Sequence, residues 1–364
     1  MTLDLASAPS PPGLAEGRPV RVAIVDDSLV ARRVLQRILQ EDGRFAVTGC
    51  HADAEEALAA LANEPCDIII LDLEMPGRSG VDSLPELLRV AQGAKAVILS
   101  GQHAEDGSVA IAALAAGARD VMTKPVSGHF GAAFASALAE RLLAIFTGED
   151  RTGRIAQPGR GGVTALPGLT TPPRAIGIGA STGGIHALTE FLAALPRPVP
   201  VPLFVTQHLP ADFLPFFAEQ LRRQSRLPVH VAQEGMPVLA GTLYVAPGHA
   251  HLTLTCRPGR RIEIGLSRAA CRHGAFPAVD PMLASLAAVY GDGACGIVFS
   301  GMGRDGLAGA EAVVRSGGCV IAQNSASSVV WGMPGAVADA GLACMVVRPE
   351  QAARALVAAW GAPG

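Results

Sequence analysis

A serine in a turn of small residues is the first group in this sequence that could perform covalent chemistry. Residues 175–179 form a short apolar stretch typical of a buried strand, and Ser181 follows it in the run Gly-Ala-Ser-Thr-Gly-Gly. The next residues predict a helix with one apolar face. Small neighbours let a hydroxyl stand clear of the backbone, and the amides of a helix start stabilise negative charge. The segment therefore suits a nucleophile, although a tight turn or a phosphate-binding loop would use similar residues.

Two further predicted strands end in a candidate base and a candidate acid. His208 follows the strand at 202–206, and Asp305 follows the strongly apolar stretch at 294–300. Because the carboxyl ends of parallel strands meet at one rim, we expect these side chains to lie beside Ser181. A serine nucleophile needs a general base, and the base needs an acid to fix its tautomer. The three residues together favour a hydrolase. Taken separately, His208 could instead be a surface residue, and Asp305 could cap the helix that follows it.

The glycine-rich turn after the stretch at 294–300 could stabilise a developing oxyanion. It reads Gly301-Met302-Gly303, and its backbone N–H groups would lie near the nucleophile. We expect Met302 to supply the amide because its side chain can pack while its N–H points inward.

A second group of polar residues follows four of the five predicted strands in the first part of the chain. The group consists of Asp26, Asp27, Asp72, Ser100 and Lys124. Three carboxylates brought together repel one another, so a hard cation such as Mg²⁺ is expected among them. A lysine and a hydroxyl can hold the oxygens of an incoming phosphoryl group. Any one of these residues could be a cap or turn former, but together they predict a site for a cation and a phosphoryl group.

Alternating strands and helices must position both groups of residues. In the first half, strands are predicted at 22–25, 46–49, 67–71, 96–99 and 119–122, with helices from about 30 and near 53–62, 80–91, 107–116 and 130–146. In the second half, strands are predicted at 175–179, 202–206, 229–232, 242–246, 251–255, 261–265, 294–300 and 318–322, with a last pair of elements at 343–360. The pattern predicts an α/β fold with two doubly wound parallel sheets, the second carrying a β-hairpin insertion at 251–265.

Composition predicts the boundaries of the domains. Residues 1–19 are rich in Pro, Ser and Gly and are expected to be disordered, and residues 147–173 lack an apolar period and read as a linker. The folded domains are therefore expected at 20–146 and 174–364. Apolar residues make up 49% of the chain and charged residues 17%, which excludes a largely disordered protein.

Charge and hydropathy exclude several classes of function. The net charge of -3 with no basic cluster gives no sign of nucleic-acid binding. No apolar run is long enough to insert into a membrane, and the first residues do not form a secretory signal, so we expect a cytoplasmic protein.

The first domain resembles the receiver domain of bacterial two-component response regulators. The resemblance rests on Val-Asp26-Asp27-Ser, Leu-Asp72-Leu-Glu-Met-Pro-Gly-Arg-Ser-Gly80, Leu-Ser100-Gly and Thr-Lys124-Pro125. It implies a flavodoxin-like fold with Asp72 as the phosphoacceptor. It also implies Mg²⁺ held by Asp26, Asp27, Asp72 and the backbone carbonyl of Glu74, with phosphoryl contacts from Ser100 and Lys124. One departure is Val121, at a position that is often aromatic in receivers.

The second domain resembles the Rossmann-like catalytic domain of chemotaxis protein-glutamate methylesterases. The matching segments are Ile-Gly-Ala-Ser181-Thr-Gly-Gly, Thr-Gln-His208-Leu-Pro, Tyr-Val-Ala-Pro-Gly-His249 and Ser-Gly-Met302-Gly-Arg-Asp305-Gly. The resemblance implies a triad of Ser181, His208 and Asp305, an oxyanion amide at Met302, and Thr182 as a neighbouring site residue, with no cofactor in this domain. Residues 275–278 read Ala-Phe-Pro-Ala and depart from the family, which usually has polar residues there.

These resemblances imply a phosphorylation-activated hydrolase of glutamate methyl esters on methyl-accepting chemotaxis receptors, which also deamidates receptor glutamines. Its phosphodonor would be a chemotaxis histidine kinase. Two alternatives remain at this point: a response regulator with a non-enzymatic binding module, and an esterase for a non-chemotaxis receptor.

Overall fold

The computed structural model describes residues 18–101, 104–125, 130–150, 169, 171–271 and 274–361. These residues form two α/β domains, each built on a parallel sheet. Residues 1–17 and most of the predicted linker, 151–168 and 170, lie outside the described part of the chain. Within that part, no helix combines the length and the apolar character needed to cross a bilayer.

The first domain is a five-stranded parallel sheet in the order β2-β1-β3-β4-β5. Its strands are β1 (Val20–Val25), β2 (Phe45–His51), β3 (Ile68–Asp72), β4 (Lys95–Ser100) and β5 (Asp120–Thr123). Its helices are α1 (Leu29–Asp42), α2 (Ala54–Leu61), α3 (Gly80–Val90), α4 (Ala104–Ala115) and α5 (Ala132–Asp150). Every residue of β3 and β4 is buried, as expected when helices cover both faces of a parallel sheet. Helix α5 continues to Asp150 and so includes the first residues of the segment predicted as a linker.

The second domain contains a seven-stranded parallel sheet in the order β14-β13-β12-β6-β7-β9-β8. Its strands are β6 (Ala175–Ala180), β7 (Leu203–Gln207), β8 (Val229–Val231), β9 (Leu243–Val245), β12 (Ala294–Val298), β13 (Cys319–Gln323) and β14 (Met345–Val347). Strands β10 (His251–Arg257) and β11 (Arg261–Ser267) pair antiparallel as a separate hairpin, which confirms the predicted insertion. The helices are α6 (Gly184–Ala193), α7 (Leu214–Ser225), α8 (Val279–Tyr290), α9 (Leu307–Arg315), α10 (Met333–Asp339) and α11 (Pro349–Ala359).

Glycines in β6 let helix α8 lie directly on the middle of this sheet. A Cβ atom on Gly179 would come within 2.3 Å of the Val279 side chain, and one on Gly177 within 2.8 Å of Leu283. These contacts bring the first turn of α8 close to the end of β6. Ser181 and the start of α8 are therefore neighbours.

The two domains pack against each other through α4 and the start of β5 of the first and α6 and α7 of the second, and α5 contacts the segment around Val329. Gly107 on α4 lies so close to Phe216 on α7 that a Cβ atom there would be 2.6 Å from the ring. At the edge of this contact, the Gly183 amide donates to the Arg119 carbonyl at 3.2 Å. The interface thus reaches the turn that carries Ser181.

Candidate active site

Ser181 lies at the turn between β6 and α6, and hydrogen bonds hold its backbone on two sides. Its amide donates to the Ser300 carbonyl at 2.9 Å, and its carbonyl accepts from Gln207 Nε2 at 2.8 Å. On the β12 side, a Cβ atom on Gly301 would come within 2.8 Å of Ser181 Cβ. Gly183 allows the turn because its φ of 77° is in the left-handed region. The serine is fixed between β12 and β7, and only 7% of it is exposed.

His208 and Asp305 form a hydrogen-bonded pair beside this turn. Asp305 Oδ2 lies 2.8 Å from His208 Nε2. An ionised carboxylate can only accept, so Nε2 carries a hydrogen and Nδ1 is the basic nitrogen of the neutral ring. The His208 amide donates to the Ala180 carbonyl at 2.9 Å, which places the histidine next to Ser181. No hydrogen bond joins the Ser181 hydroxyl to the His208 ring among the residues that the structure describes.

Backbone amides surround the Asp305 carboxylate. Oδ2 accepts from the Val279 amide at 2.7 Å, and Oδ1 accepts from the amides of Asp280 and Gly306 at 3.1 and 2.9 Å. Burial disfavours the charged form, but the hydrogen bonds from His208 and from the amides of Val279 and Asp280 hold the pKa of Asp305 below its ordinary value. Asp305 is therefore an anion at neutral pH. It caps mainly the start of α8, although the sequence suggested a cap for the helix after it.

Hydrogen bonds of Thr182 and Ser300 also hold the turn that carries Ser181 in place. The Thr182 hydroxyl donates to Asp120 Oδ2 of the first domain at 2.7 Å, and its carbonyl accepts from Ser300 Oγ at 2.7 Å. Ser300 also accepts from the amides of Val329 and Val330 at 3.1 and 3.0 Å. Asp120 and Ser300 were not predicted as site residues, since nothing in the sequence indicates that these distant segments meet.

Met302 offers a free N–H, but its side chain does not pack as expected. Among the described residues its amide donates to no acceptor. The side chain is 40% exposed, so the expectation that it packs is wrong. The turn is fixed by its neighbour instead, because the Gly301 carbonyl accepts from the amides of Gly332 and Met333 at 3.1 and 2.8 Å.

The altered segment at 275–278 is tied to a buried histidine that the sequence did not single out. His251 Nδ1 accepts from the Ala278 amide at 2.9 Å, so its Nε2 carries the hydrogen and donates to the Ala269 carbonyl at 2.9 Å. The Phe276 ring packs edge-on against His251 with 4.6 Å between the ring centroids and is 47% exposed. An exposed aromatic ring therefore stands at the entry to α8, close to the triad residues.

In the first domain, the predicted polar residues meet at the carboxyl ends of the strands. One oxygen of each of Asp26, Asp27 and Asp72 lies within 4.8 Å of the others. Lys124 Nζ lies 2.7 Å from Asp72 Oδ2 and 2.8 Å from Asp26 Oδ2. The Ser100 hydroxyl is buried and lacks a hydrogen-bond partner within the described residues. Asp26, Asp27, Asp72 and Lys124 thus meet at the end of the sheet, and Ser100 is the last residue of β4, the strand beside β3.

Burial and neighbouring charges shift the pKa values of Asp72 and Lys124 in this cluster. Burial raises the pKa of Asp72, and the Asp26 carboxylate adds to this effect while Lys124 opposes it. The pKa of Lys124 is also raised, because its ion pairs with Asp72 and Asp26 outweigh its own burial. The amide of Glu74, two residues after Asp72, donates to Asp72 Oδ1 at 3.4 Å. Val121 is buried in β5 and presents no aromatic ring.

Comparison with known proteins decides between the alternatives. The family model described as response regulator receiver domain matches residues 22–129, and the one described as CheB methylesterase matches residues 176–356. The protein-glutamate methylesterase/protein-glutamine glutaminase of Azospirillum brasilense is 38% identical over 371 residues, covering 94% of this chain and 93% of the relative. This chain belongs to the protein-glutamate methylesterase family.

Other members of the protein-glutamate methylesterase family support the same assignment. A member from a group 2 operon of Rhodospirillum centenum is 37% identical and covers 91% of both chains. The crystal structure of the Thermotoga maritima CheB methylesterase catalytic domain is 34% identical, has a TM-score of 0.50, and covers 51% of this chain and 98% of its own. The chain thus combines a receiver domain with a methylesterase domain. The interpretation as a non-enzymatic binding module is not supported.

Proposed function

We propose that this protein removes methyl groups from glutamate methyl esters of chemotaxis receptors and deamidates receptor glutamines, with Ser181, His208 and Asp305 as its triad. The substrate class follows the names of the relatives. One observation carries the assignment of residues: the 2.8 Å bond between His208 and Asp305 lies beside Ser181 at the ends of three adjacent strands.

The proposed reaction divides ester hydrolysis into two acyl transfers. Ser181 Oγ attacks the ester carbonyl while His208 takes the hydroxyl proton at Nδ1. His208 then passes that proton to the departing methoxy group, so methanol leaves and the glutamyl group stays on the serine. Water, deprotonated by His208, releases the glutamate and restores Ser181. A glutamine follows the same path, with ammonia as the leaving group.

Two backbone and side-chain features support the charged intermediates. The N–H of Met302 has no acceptor among the described residues and can bind the oxyanion of the tetrahedral intermediate. The anionic Asp305 stabilises the protonated form of His208 and fixes its tautomer. Thr182 lies next to the nucleophile and links it to the receiver domain.

In the receiver domain, the residues present fit a divalent cation and a phosphoryl group. Asp26, Asp27 and Asp72 supply hard carboxylate oxygens, and the backbone carbonyl of Glu74 completes the proposed Mg²⁺ ligands. Bound Mg²⁺ would neutralise charge during phosphorylation of Asp72. The buried, unpartnered hydroxyl of Ser100 and the ammonium of Lys124 can contact the phosphoryl oxygens. A chemotaxis histidine kinase would be the phosphodonor, and the reaction would take place in the cytoplasm.

The proposed control acts through β5. Lys124, which contacts Asp72, directly follows this strand, and Asp120 at its first position accepts from Thr182. In the unphosphorylated protein, this contact holds the receiver domain against the turn of Ser181. Phosphorylation of Asp72 draws Lys124 to the phosphoryl group, shifts β5 and weakens the contact. The rate of hydrolysis then rises.

The experiment is release of methanol from a methylated receptor cytoplasmic domain and of ammonia from its glutamine form. We expect the wild type to release both and Ser181→Ala to release neither. Equal release by the two proteins would contradict the role of Ser181. No release by the wild type would contradict the proposed substrate.

A further inference from the structure

The first turns of helices α8 and α9 cap each other through two carboxylates. Asp305, just before α9, accepts from the amides of Val279 and Asp280 at the start of α8 at 2.7 and 3.1 Å. Asp280, in the first turn of α8, accepts in return from the amides of Gly306 and Gly309 at the start of α9 at 2.9 and 2.8 Å. Each helix start thus supplies free amides to the carboxylate of the other.

The two carboxylates share one donor. The Gly306 amide lies 2.9 Å from Asp305 Oδ1 and 2.9 Å from Asp280 Oδ1. Gly306 adopts a φ of 94°, and a Cβ atom there would lie 3.1 Å from the Val279 side chain. The backbone that carries Asp305 therefore has its position set by Asp280 and by contact with α8.

Close helix packing leaves little freedom at this junction. A Cβ atom on Gly309 would come within 2.6 Å of Leu283 Cβ and 3.0 Å of the Asp280 carbonyl. The start of α9 therefore lies directly on the first turns of α8. When the carboxylate of Asp280 is removed, the amides of Gly306 and Gly309 lose an acceptor within this packed junction, so the loop of Asp305 must adjust.

We propose that Asp280 is a positioning residue for the triad: it holds the start of α9 so that Asp305 meets both the α8 amides and His208. It is not a catalytic residue, because it acts through Asp305. This inference rests on the proposed triad. It assigns to Asp280 a role in turnover beyond that of a helix cap.

The test measures kcat and KM of the full chain for methanol release from a methylated receptor cytoplasmic domain. We expect Asp280→Ala to lower kcat by about tenfold or more while KM changes by less than about twofold, because only transition-state stabilisation is lost. Asp280→Asn retains an acceptor oxygen at the same position and should stay within about threefold of wild type. Asp280→Glu keeps the charge but moves the oxygens, so it should lose activity as Asp280→Ala does.

The control for a purely structural effect is Asp53→Ala. Asp53 caps α2 in the receiver domain by accepting from the Glu56 amide at 2.8 Å, far along the chain from the triad. The Asp53→Ala variant should lower the melting temperature, as we expect for Asp280→Ala, but should leave kcat unchanged. If Asp280→Ala does not fold, the test is the kcat of Asp280→Asn against that of Asp280→Glu, and we expect Asp280→Asn to be the more active.

Two results would overturn the inference: a wild-type kcat for Asp280→Ala, or equal losses in Asp280→Asn and Asp280→Ala. Ser181→Ala and Asp305→Ala, measured in the same assay, separate this failure from failure of the triad. If these two variants are inactive while Asp280→Ala is normal, only the role of Asp280 is wrong. If they retain full activity, the triad itself is wrong.

Discussion

Thr182 donates its hydroxyl hydrogen to Asp120 at 2.7 Å and so joins the residue after Ser181 to the first residue of β5 in the receiver domain. Asp120 also forms an ion pair with Arg141 at 3.3 Å. The carboxylate is buried and binds Arg141 and the Val121 amide in its own domain and Thr182 in the other. The Asp120 carboxylate therefore connects the receiver domain directly to the residue that follows Ser181.

Removing this carboxylate should activate the unphosphorylated enzyme. We expect Asp120→Ala to raise the basal rate of methanol release severalfold, because loss of one buried hydrogen bond with a charged group weakens the closed arrangement by about 1 to 3 kcal/mol. The rate with a phosphodonor should stay near that of wild type. Asp339→Ala, an exposed carboxylate at the end of α10, is the control and should change neither rate. An unchanged or lower basal rate in Asp120→Ala would argue against control through this contact.

The acid of the triad can be tested without changing the shape of its side chain. Asp305→Asn should lower kcat by about three to four orders of magnitude, because an amide that donates to His208 favours the wrong tautomer. KM should change little. Methanol release at saturating substrate measures the effect, with near-UV circular dichroism to check the fold. A kcat within about tenfold of wild type would show that Asp305 is not the acid partner.

Phosphorylation should require both Asp72 and a divalent cation. We expect incubation with a small phosphodonor and Mg²⁺ to phosphorylate the wild type, and expect EDTA or Asp72→Asn to prevent it. Phosphate incorporation measured by mass spectrometry provides the test, with Asp82→Asn, at an exposed position of α3, as a matched control. Equal incorporation in Asp72→Asn would show that another residue accepts the phosphoryl group.

Asp67 should stabilise the receiver domain in a pH-dependent way. Burial disfavours its charge, but hydrogen bonds from Arg21 and Arg18 lower its pKa to about 2. Because this folded-state pKa is lower than the ordinary value of 3.8, the stabilisation is complete above that value and disappears as the pH falls towards 2. Arg18 is half exposed, so solvent limits the effect to about 1 kcal/mol.

The measurement is the difference in unfolding free energy between wild type and Asp67→Asn, obtained by urea denaturation across the acid range. We expect wild type to be the more stable protein at neutral pH and the difference to shrink in acid. A difference independent of pH would contradict the ion-pair account.

Sequence patterns predicted the two sheets because buried parallel strands are short apolar runs separated by amphipathic helices. The strands predicted at 96–99 and 294–300 correspond to β4 and β12. The predicted site residues lie at or shortly after the observed strand ends, with Asp72 and Ser100 as the last residues of β3 and β4. The end of α5 was not predicted. The helix was predicted to end near 146, yet it runs to Asp150, and Gly148 within it packs directly on the Val329 carbonyl.

The contacts between distant segments could not be predicted from one sequence. Hydrophobic periodicity shows which face of an element is buried but not which element covers it. The bond from Thr182 to Asp120 and the bond from the Gly306 amide to Asp280 both depend on such packing. The side chain of Met302 was wrongly expected to pack for the same reason, since no covering element follows from its local sequence.

The most direct test of a phosphorylation-controlled serine esterase is methanol release from a methylated receptor cytoplasmic domain, measured with and without a small phosphodonor and Mg²⁺. The proteins to compare are wild type, Ser181→Ala and Asp72→Asn. We expect release by wild type to rise with the phosphodonor, release by Asp72→Asn to stay at the basal rate, and release by Ser181→Ala to be absent in both conditions. Release by Ser181→Ala at the wild-type rate, or release by wild type that does not change when the phosphodonor is added, would contradict the account.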